Sequence, residues 1–364
     1  MLSYRSTIKN VFGIKKRSTS WQRSTSCLSS SRAVISSLEK KVGSKISMEL
    51  YWNQKSKKTA LVTGSAGGVG FAIAESFAKQ GFDIVLCDID EDRVLKAAKF
   101  LSDKYGTVAY GIGCDVGNAE SLNSLGEFSV EKLNKIDIWV NNAGRNGGKI
   151  PLWEQTPEVL KGVVECNLLG ILLCTRIAII IMKDQGTPGH IFNVTGSGVK
   201  GEATPGWSAY GATKRGLPQL TASVIKEMKK YDGVDKIGLH TMSPGMVFTD
   251  LLLQDSTPNE RRFFDLLADD PEEVAEDLVL KMLKVAMTDK KGVNIQYLDP
   301  PTIISRLLSF DMFKFVASLL FPFLKFPGKR FDAEGNRIKT PGKFYRENGT
   351  LMLFDGEPER KSLR

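Results

Sequence analysis

Residues 63–70 of the chain read Thr63-Gly64-Ser65-Ala66-Gly67-Gly68-Val69-Gly70. This glycine-rich turn lies between an apolar run and an amphipathic helical pattern, which is the context that a dinucleotide-binding turn requires. Gly64 permits the tight turn, Gly68 lets the backbone approach a pyrophosphate, and Gly70 allows a helix to pack closely on a strand. The N-terminus of that helix would then face the phosphate charge. The stretch predicts a strand, a phosphate-binding turn and a helix, in that order.

Outward from this turn, short apolar runs alternate with helical patterns. The runs predicted as strands are Thr59–Thr63, Asp83–Cys87, Val108–Cys114, Ile136–Asn141, His190–Thr195 and Ile237–Ser243. The helices predicted between them are Phe71–Gln80, Asp92–Lys104, Ser121–Leu133, Pro157–Met182 and Ser208–Lys230. Because parallel strands need crossovers, this alternation predicts an α/β fold with a doubly wound parallel sheet of the Rossmann type. We expect a single domain over residues 55–300 with a helical C-terminal extension.

The N-terminal residues differ in composition from this domain. The 364 residues carry a formal net charge of +9, but residues 1–50 hold ten Lys and Arg against two acids, which leaves 40 against 39. A nearly neutral remainder predicts no nucleic-acid surface. The basic, Ser-rich residues 1–50 are typical of a disordered transit peptide, directed to a chloroplast or, alternatively, a mitochondrion. A basic disordered tail without a targeting role stays open as the other interpretation.

The C-terminal residues form two further segments. Over residues 301–327 apolar residues recur at helical spacing, interrupted by Arg306, Asp311, Lys314 and Pro322. A bilayer crossing needs about 20 mostly apolar residues, so a spanning helix is not predicted. We expect an amphipathic helix that lies on a membrane, walls an apolar pocket or packs on the domain. Residues 328–364 are a polar, glycine-rich tail to which the sequence assigns no role.

Cysteine and histidine are few and show no metal-binding spacing. The five cysteines contain no CxxC pattern, and the only histidines are His190 and His240. Neither a zinc site nor a disulfide framework is therefore predicted, and no metal is expected. The cysteines after Cys27 are expected to be small apolar residues in a reducing compartment.

Tyr210 and Lys214 lie four residues apart in the run Ser208-Ala209-Tyr210-Gly211-Ala212-Thr213-Lys214. On a helix this spacing puts the phenol and the ammonium on one face. The positive charge would stabilise a phenolate, so a tyrosine with an ordinary pKa of about 10 could approach neutrality and exchange a proton with a carbonyl or alcohol. The pair predicts acid–base chemistry without a histidine or a metal.

Asp88 stands eighteen residues beyond Gly70, at the end of an apolar run. A carboxylate there can accept hydrogen bonds from both adenosine ribose hydroxyls and would repel a 2′-phosphate, which favours NADH over NADPH. A helix N-cap is the alternative role for this acid, and Asp90 could serve that purpose as well. Arg93 and Lys96 are close enough in sequence to offset the repulsion.

These pieces together resemble the short-chain dehydrogenase/reductase family. The matching motifs occur over about residues 58–250 in the order of the family: the turn at 63–70, Cys114-Asp115-Val116, Asn141-Asn142-Ala143-Gly144, Asn167, Ser197, Tyr210 with Lys214, and Pro244-Gly245 with Thr249. The resemblance implies an NAD(P)-dependent oxidoreductase with a Rossmann fold. It also implies a homo-oligomer that pairs through the helices bearing Asn167 and Tyr210.

The resemblance further implies roles for individual residues. Asp115 would contact the adenine, Asn142 would support the cofactor side of the sheet, and Asn167 would hold a water of a proton relay. The family's usual paired serines read Gly196-Ser197 here, so Ser197 is expected to bind the substrate oxygen, with Thr195 in reserve. The residues implied at the cofactor are Gly64, Ser65, Gly68, Val69, Gly70, Asp88, Asp115, Val116, Asn142, Ala143, Gly144, Tyr210, Lys214, Pro244, Gly245, Val247 and Thr249.

Within the family, residues 138–144, 190–193, 209–215 and 243–252 are most similar to the chlorophyll(ide) b reductase branch. This similarity implies reduction of the C7 formyl group of chlorophyll(ide) b to hydroxymethyl in the plastid stroma or peripherally on the thylakoid membrane. The branch carries an NADPH-type end to the second strand, whereas this chain has Asp88, so the resemblance favours NADPH and Asp88 favours NADH. Two alternatives stay open: reduction of another apolar carbonyl or oxidation of an alcohol (retinoid, steroid or acyl chain), and a non-catalytic nucleotide-binding scaffold for pigment–protein partners.

Overall fold

The computed structural model describes residues 57–253 and 256–308, and beyond these only residues 48, 51–52, 316, 344–347 and 350–353. The chain divides into two compact units, Met1–Gln54 and Lys55–Arg364, and the account below concerns the second. The predicted transit peptide at 1–50, most of the helical extension at 301–327 and most of the polar tail at 328–364 lie outside the described residues. Within that tail, Phe344–Glu347 (β8) and Thr350–Leu353 (β9) pair as antiparallel strands.

Seven strands form one parallel sheet in the order β3-β2-β1-β4-β5-β6-β7. They are β1 Thr59–Thr63, β2 Asp83–Asp88, β3 Ala109–Gly113, β4 Ile138–Asn141, β5 His190–Val194, β6 Gly238–Ser243 and β7 Asn294–Gln296. Because every pair is parallel, the carboxyl ends of all seven strands lie at one edge. The strand order reverses between β1 and β4, where doubly wound sheets bind their ligands. The predicted fold class is confirmed.

Ten α-helices are described with this sheet. They are α1 Gly68–Lys79, α2 Glu91–Tyr105, α3 Ala119–Leu133, α4 Pro157–Val164, α5 Gly170–Asp184, α6 Ser208–Met228, α7 Asp250–Leu253, α8 Pro258–Leu267, α9 Pro271–Ala286 and α10 Pro300–Leu307. A π-helical segment, Glu165–Leu169, joins α4 to α5. The predicted helix at 157–182 is therefore continuous but contains one wider turn.

Side-chain caps explain where several helices begin. Asp90 accepts a hydrogen bond from the backbone N–H of Arg93 at the start of α2, and Asn118 accepts one from Ser121 at the start of α3. Thr156 caps α4 in the same way, and the first residue of that helix is a proline. Each cap satisfies an N–H group that has no partner within its own helix.

The core lies between the sheet and helices α3, α5 and α6. Five strands contribute fully buried residues to this layer, among them Leu61, Val85, Trp139, Ile191 and Leu239. On the other face, α1 packs against α9. Cys87, Cys114 and Cys174 are buried in the core as free thiols, as the sequence predicted. Among the residues that the structure describes, no group of His, Cys, Asp and Glu could hold a metal ion.

The run Pro157–Asp184 is, among the described helices, the one long and apolar enough to cross a membrane by length and composition. In this structure α5 packs against β4, β5 and α3, so its apolar residues serve the core on that side. On the opposite side Val164, Leu169, Leu172 and Ile180 are exposed.

Candidate active site

The turn between β1 and α1 is built around positions that only glycine can occupy. Gly64 has a φ of +63°, and a Cβ on it would lie 2.7 Å from Ala143 Cα; a Cβ on Gly70 would collide with the carbonyl oxygen of Gly64. The Asn142 side chain donates to the carbonyl oxygens of Thr63 and Gly64, both at 3.0 Å. These contacts fix the turn against the end of β4.

The other side of the turn is open. Gly68 has a φ of +57°, and the nearest neighbour of a Cβ placed there would be Thr249 Cγ2 at 3.5 Å. The start of α1 has no side-chain cap, so its first N–H groups have no such partner. Backbone N–H groups at an uncapped helix N-terminus can hold the phosphates of a dinucleotide. The turn therefore fits the predicted cofactor, with Val69 half-buried beside Gly68.

The Ser65 side chain differs from the other predicted residues of the turn. Its hydroxyl is fully buried and donates to the carbonyl oxygen of Val62 at 2.8 Å, so it faces the sheet and not the open side of the turn. Its backbone N–H donates to the carbonyl oxygen of Cys87 at 3.0 Å, which joins the turn to β2. Ser65 thus supports the turn from beneath.

Asp88, at the end of β2, lies directly beside the turn. Its Oδ2 accepts a hydrogen bond from the Ala66 backbone N–H at 2.9 Å. The N-cap of α2 is Asp90, so the alternative N-cap role for Asp88 is wrong. Arg93, which the sequence placed near Asp88, has its Nε 3.7 Å from Asp90 Oδ2. Asp88 is left as the carboxylate nearest the turn at this strand end.

The ends of β3 and β6 complete the edge. Asp115 is exposed after β3 and accepts from the Gly117 backbone N–H at 2.9 Å, while Val116 is buried beneath α5. After β6 the chain passes through Pro244 and Gly245, and Val247 is buried where it forms a parallel bridge with Asp269. Thr249 then reaches Gly68, so the loops after β1 and β6 meet.

Asn167 lies in the π-helical segment and is fully buried. Its Nδ2 donates to the carbonyl oxygen of Arg145 at 2.7 Å, and its Oδ1 accepts the Arg145 N–H at 2.8 Å. A buried amide needs such partners. A Cβ on Gly144 would lie 3.4 Å from Asn167 Oδ1 and 3.8 Å from Lys214 Nζ. The end of β4 is thereby brought against both side chains.

Tyr210 and Lys214 lie in the first turns of α6, on the helix face that meets β5. Lys214 is only 3% exposed, and its Nζ donates to the carbonyl oxygen of Val194 at 3.0 Å. That nitrogen lies 5.6 Å from the centroid of the Tyr210 ring. The Tyr210 hydroxyl lies against Gly196, where a Cβ would collide with it. The predicted pair therefore shares one face at the carboxyl end of β5.

Ser197 and Thr195 differ in where their hydroxyls lie. Thr195 is buried and donates to the carbonyl oxygen of Met242 at 3.1 Å, so its hydroxyl is bonded to β6. Ser197 is exposed and directly follows Gly196, the residue in contact with the Tyr210 hydroxyl. Of the two, Ser197 is the hydroxyl available to a ligand beside Tyr210.

Burial changes the pKa values of Tyr210 and Lys214 more than the two groups change each other's pKa. It raises the pKa of Tyr210 to about 12, although the sequence argument expected the lysine to lower it. Burial also lowers the pKa of Lys214 to about 8, against a smaller opposing effect of the Cys166 thiol. Both shifts follow from removal of the charged form from water. Tyr210 is thus a neutral proton donor at neutral pH.

Two threonines that hold the site together were not identified from the sequence. The Thr63 hydroxyl accepts the backbone N–H groups of Asn142 and Ala143, each at 3.0 Å. Thr213 donates to the Tyr210 carbonyl oxygen at 2.7 Å and accepts from Asn167 Nδ2 at 3.4 Å. Thr63 is the first residue of the glycine-rich turn, and Thr213 lies between Tyr210 and Lys214. This position within two motifs was the feature of the sequence that could have identified them.

An apolar segment follows the loop after β6. Phe248 and Ala268 are buried, with Leu252 and Phe264 packed against them. The segment is fixed at its far end by Asp269, whose Oδ2 pairs with the Arg306 guanidinium and accepts the Tyr297 hydroxyl at 2.8 Å. Arg306 belongs to α10, which packs on α8. The described start of the C-terminal extension therefore packs on the domain.

Comparison with known proteins agrees with this architecture. A profile of the short chain dehydrogenase family matches residues 58–260. The chloroplastic chlorophyll(ide) b reductase NOL of Oryza sativa subsp. japonica is 38% identical over 253 residues, 68% of this chain and 74% of that protein. NOL of Arabidopsis thaliana is 42% identical over 221 residues, 60% of this chain and 63% of that protein. The chain thus leaves more than a third of the Arabidopsis protein unmatched.

A solved structure gives the same result for the fold. The 3-ketoacyl-(acyl-carrier-protein) reductase from Brucella melitensis, complexed with NADH, is 26% identical with a TM-score of 0.59, over 67% of this chain and 98% of that chain. The profile alone covers more than half of the present sequence. The protein belongs to the short-chain dehydrogenase/reductase family and is an oxidoreductase with a nicotinamide cofactor.

Proposed function

We propose that the protein reduces the C7 formyl group of chlorophyll(ide) b to hydroxymethyl. The observation that carries this proposal is its identity of 38% and 42% with two proteins named chloroplastic chlorophyll(ide) b reductases. The geometry supports a carbonyl reduction, because a phenol, an exposed hydroxyl and a buried ammonium meet at the carboxyl edge of the sheet.

Four residues would each have a separate role in this reduction. Tyr210 would donate its hydroxyl proton to the formyl oxygen, and Ser197 would polarise the same oxygen by a hydrogen bond. Lys214 would hold the nicotinamide ribose and supply positive charge beside the phenolate that forms. Asn167 would hold a water that returns a proton to the site. The nicotinamide, when bound, supplies the hydride that reaches the formyl carbon.

The ionisation of Tyr210 is compatible with a carbonyl reduction. Such a reduction needs a protonated acid at the start, and burial raises the pKa of Tyr210 to about 12. The reductive direction is proposed from the similarity to the two named reductases.

For the cofactor we propose NADH. Asp88 lies against the turn through the Ala66 N–H, where its charge would repel a 2′-phosphate. Arg93 Nε lies 3.7 Å from Asp90 Oδ2, which meets part of its charge, while its buried Nη2 has no hydrogen-bond partner among the described residues. The similarity to the reductase branch favours NADPH, and a direct comparison of the two cofactors decides between them.

The location and assembly are proposed from the relatives and the surface. The relatives are named chloroplastic, so the chloroplast is proposed before the mitochondrion, with peripheral association at the thylakoid as the finer proposal. A homo-oligomer is proposed through the exposed apolar residues of the Pro157–Asp184 helix, since exposed apolar patches mark interaction sites.

The experiment incubates the purified full chain with chlorophyllide b and either NADH or NADPH, and follows the hydroxymethyl product by chromatography. We expect turnover with NADH at a kcat/KM higher than with NADPH; preference for NADPH would overturn the cofactor assignment alone. A parallel panel holds retinal, a ketosteroid and a ketoacyl thioester, which an apolar site could also accept. Faster turnover of a panel member than of chlorophyllide b would overturn the substrate assignment.

The scaffold alternative has a distinct outcome in the same experiment. Tight NADH binding, measured by the quenching or transfer of fluorescence, without turnover of any carbonyl would support it. The exposed Ser197 and the buried Lys214 argue against it, because binding of a nucleotide alone needs no hydroxyl and ammonium beside a tyrosine.

A further inference from the structure

The loop that carries Ser197 is pressed against the first turn of α6. Gly198 has a φ of +89°, and a Cβ on it would lie 2.6 Å from Gly211 Cα. Gly196 likewise has no room for a side chain, because the Tyr210 hydroxyl fills that space. The loop also contains Gly201 at a φ of +94°, so three glycines lie within six residues. Such a loop is intrinsically mobile unless other groups fix its outer side.

One carboxylate fixes that outer side. Glu202 Oε1 accepts the Gly198 backbone N–H at 2.8 Å, and its Oε2 accepts the Lys200 N–H at 3.0 Å. Hydrogen bonds from backbone N–H groups, first its own and then that of Gly198, lower the pKa of Glu202. The group is thus an ionised acceptor, and such charge-assisted bonds are stronger than neutral ones.

Arg215, on α6, holds the same stretch at Val199, the residue between Gly198 and Lys200. Arg215 Nη1 donates to the carbonyl oxygen of Val199 at 3.0 Å. The N–H groups of Gly198 and Lys200 therefore point to Glu202, and the intervening carbonyl points to Arg215. Ser197 is the exposed residue directly before this double tether of Glu202 and Arg215, and it follows Gly196, which contacts the Tyr210 hydroxyl.

We propose that Glu202 is a positioning residue that holds residues 198–200 and thereby directs the Ser197 hydroxyl to the substrate oxygen. This inference rests on the role of Ser197 in the proposed function. In this role Glu202 would act through the backbone N–H groups of Gly198 and Lys200 and not by contact with the substrate. Because small displacements of a positioned group slow a reaction strongly, the loss of the tether should reduce the chemical step.

The first test compares Glu202→Ala, Glu202→Gln and Glu202→Asp in the chlorophyllide b assay. We expect kcat to fall roughly ten- to a hundredfold in Glu202→Ala, with the Kd for NADH unchanged. Glu202→Asp keeps the charge and should recover part of the rate, whereas Glu202→Gln should recover less. Glu227→Ala, at the far exposed end of α6, is the matched control and should keep the parent rate. An unchanged kcat in Glu202→Ala would overturn the proposal.

The second test asks whether Glu202 acts through Ser197. In a Ser197→Ala background, adding Glu202→Ala should change kcat by less than about twofold, because the hydroxyl to be positioned is gone. A merely structural role for Glu202 would lower the rate equally in both backgrounds. Multiplying losses in the double variant would therefore overturn the proposal even if the single variant behaved as expected.

A third measurement needs no substrate and separates this inference from the proposed function. Amide hydrogen exchange over residues 197–201 should become faster in Glu202→Ala, while exchange in β5 and the melting temperature stay as in the parent. Should the parent protein reduce no chlorophyllide b, the proposed function fails, but faster exchange confined to this loop would still support the tether. Unchanged exchange there would overturn it whatever the enzyme reduces.

Discussion

At the scale of single residues, Tyr210 and Lys214 show how burial changes the chemistry that sequence spacing suggests. The spacing predicted a common helix face, and Lys214 Nζ does lie 5.6 Å from the Tyr210 ring. It could not predict that both groups would be buried, which raises the pKa of one to about 12 and lowers that of the other to about 8. The result is a neutral acid beside a cation whose charge is partly lost above about pH 8.

Removal of the Tyr210 hydroxyl gives the first prediction at this scale. Tyr210→Phe keeps the ring between Gly196 and Lys214 but has no proton to donate, so kcat should fall at least about a hundredfold. Binding of NADH, measured by titration, should change little. Tyr231→Phe, at an exposed tyrosine, is the control and should match the parent. A kcat for Tyr210→Phe within a few-fold of the parent would remove the tyrosine from the mechanism.

Other residues of the site show which structural features a sequence motif predicts and which it does not. The glycine positions at 64 and 70 follow from sequence because their need for space is local to a strand–turn–helix unit. The Ser65 hydroxyl bonds to the carbonyl oxygens of Val62 and of Cys87 in β2, and the Thr195 hydroxyl bonds to that of Met242 in β6. Side-chain direction at a strand end depends on the adjacent strand, which the sequence places only by topology.

At the scale of elements, strands β1 to β6 and helices α1 to α6 were predicted, whereas helices α7 to α9, of which α9 has 16 residues, and the irregular elements were not. The π-helical segment has the same apolar pattern as α5, and its Asn167 is held by the Arg145 backbone, 22 residues away. The strand β7 has three residues, and α7 has four, too few for a period to be recognised. These elements depend on distant contacts, such as the bridge between Val247 and Asp269.

The contact between β5 and α6 gives a prediction at the element scale. Gly196→Ala places a Cβ where the Tyr210 hydroxyl lies, so the hydroxyl or the loop must move. We expect kcat to fall by roughly a hundredfold, because the proton donor leaves its position, while NADH still binds at the turn. Gly216→Ala, on the same helix, meets only Leu168 Cδ1 at 3.7 Å and should keep full activity. Equal kinetics of the two variants would contradict the tight fit between the loop and the tyrosine.

At the scale of the whole molecule, the parallel sheet separates the site from a buried histidine pair. The candidate site lies at the carboxyl edge, whereas His190 begins β5 and lies beside His240 in β6 with 3.1 Å between ring nitrogens. His240 stacks on Phe192 and is fully buried. The sequence predicted that these histidines hold no metal but did not predict that they meet, because that requires the register of two strands 50 residues apart.

The histidine pair makes the free energy of unfolding depend on pH in the acidic range. Burial, and then the neighbouring His190, lower the pKa of His240 to about 3 from its ordinary value of 6.5. Between these values the unfolded chain binds a proton that the folded chain does not, so the free energy of unfolding falls as the pH falls below about 6.5. For one proton the slope reaches at most about 1.4 kcal/mol per pH unit. Well above pH 6.5 this histidine contributes no slope, because it is neutral in both states.

His240→Gln tests this dependence, because glutamine keeps polar atoms at the site but cannot take up the proton. Urea unfolding of the parent and the variant at intervals from pH 7.5 to 4.5 gives the free energy of unfolding of each. The variant should be less stable at pH 7.5, since the stacking on Phe192 is lost, yet its stability should fall less steeply towards pH 4.5. Carboxylates titrate alike in both proteins, so the difference in slope reports the loss of the histidine pair. Parallel curves would mean that His240 takes up its proton as readily in the folded protein as in the unfolded chain.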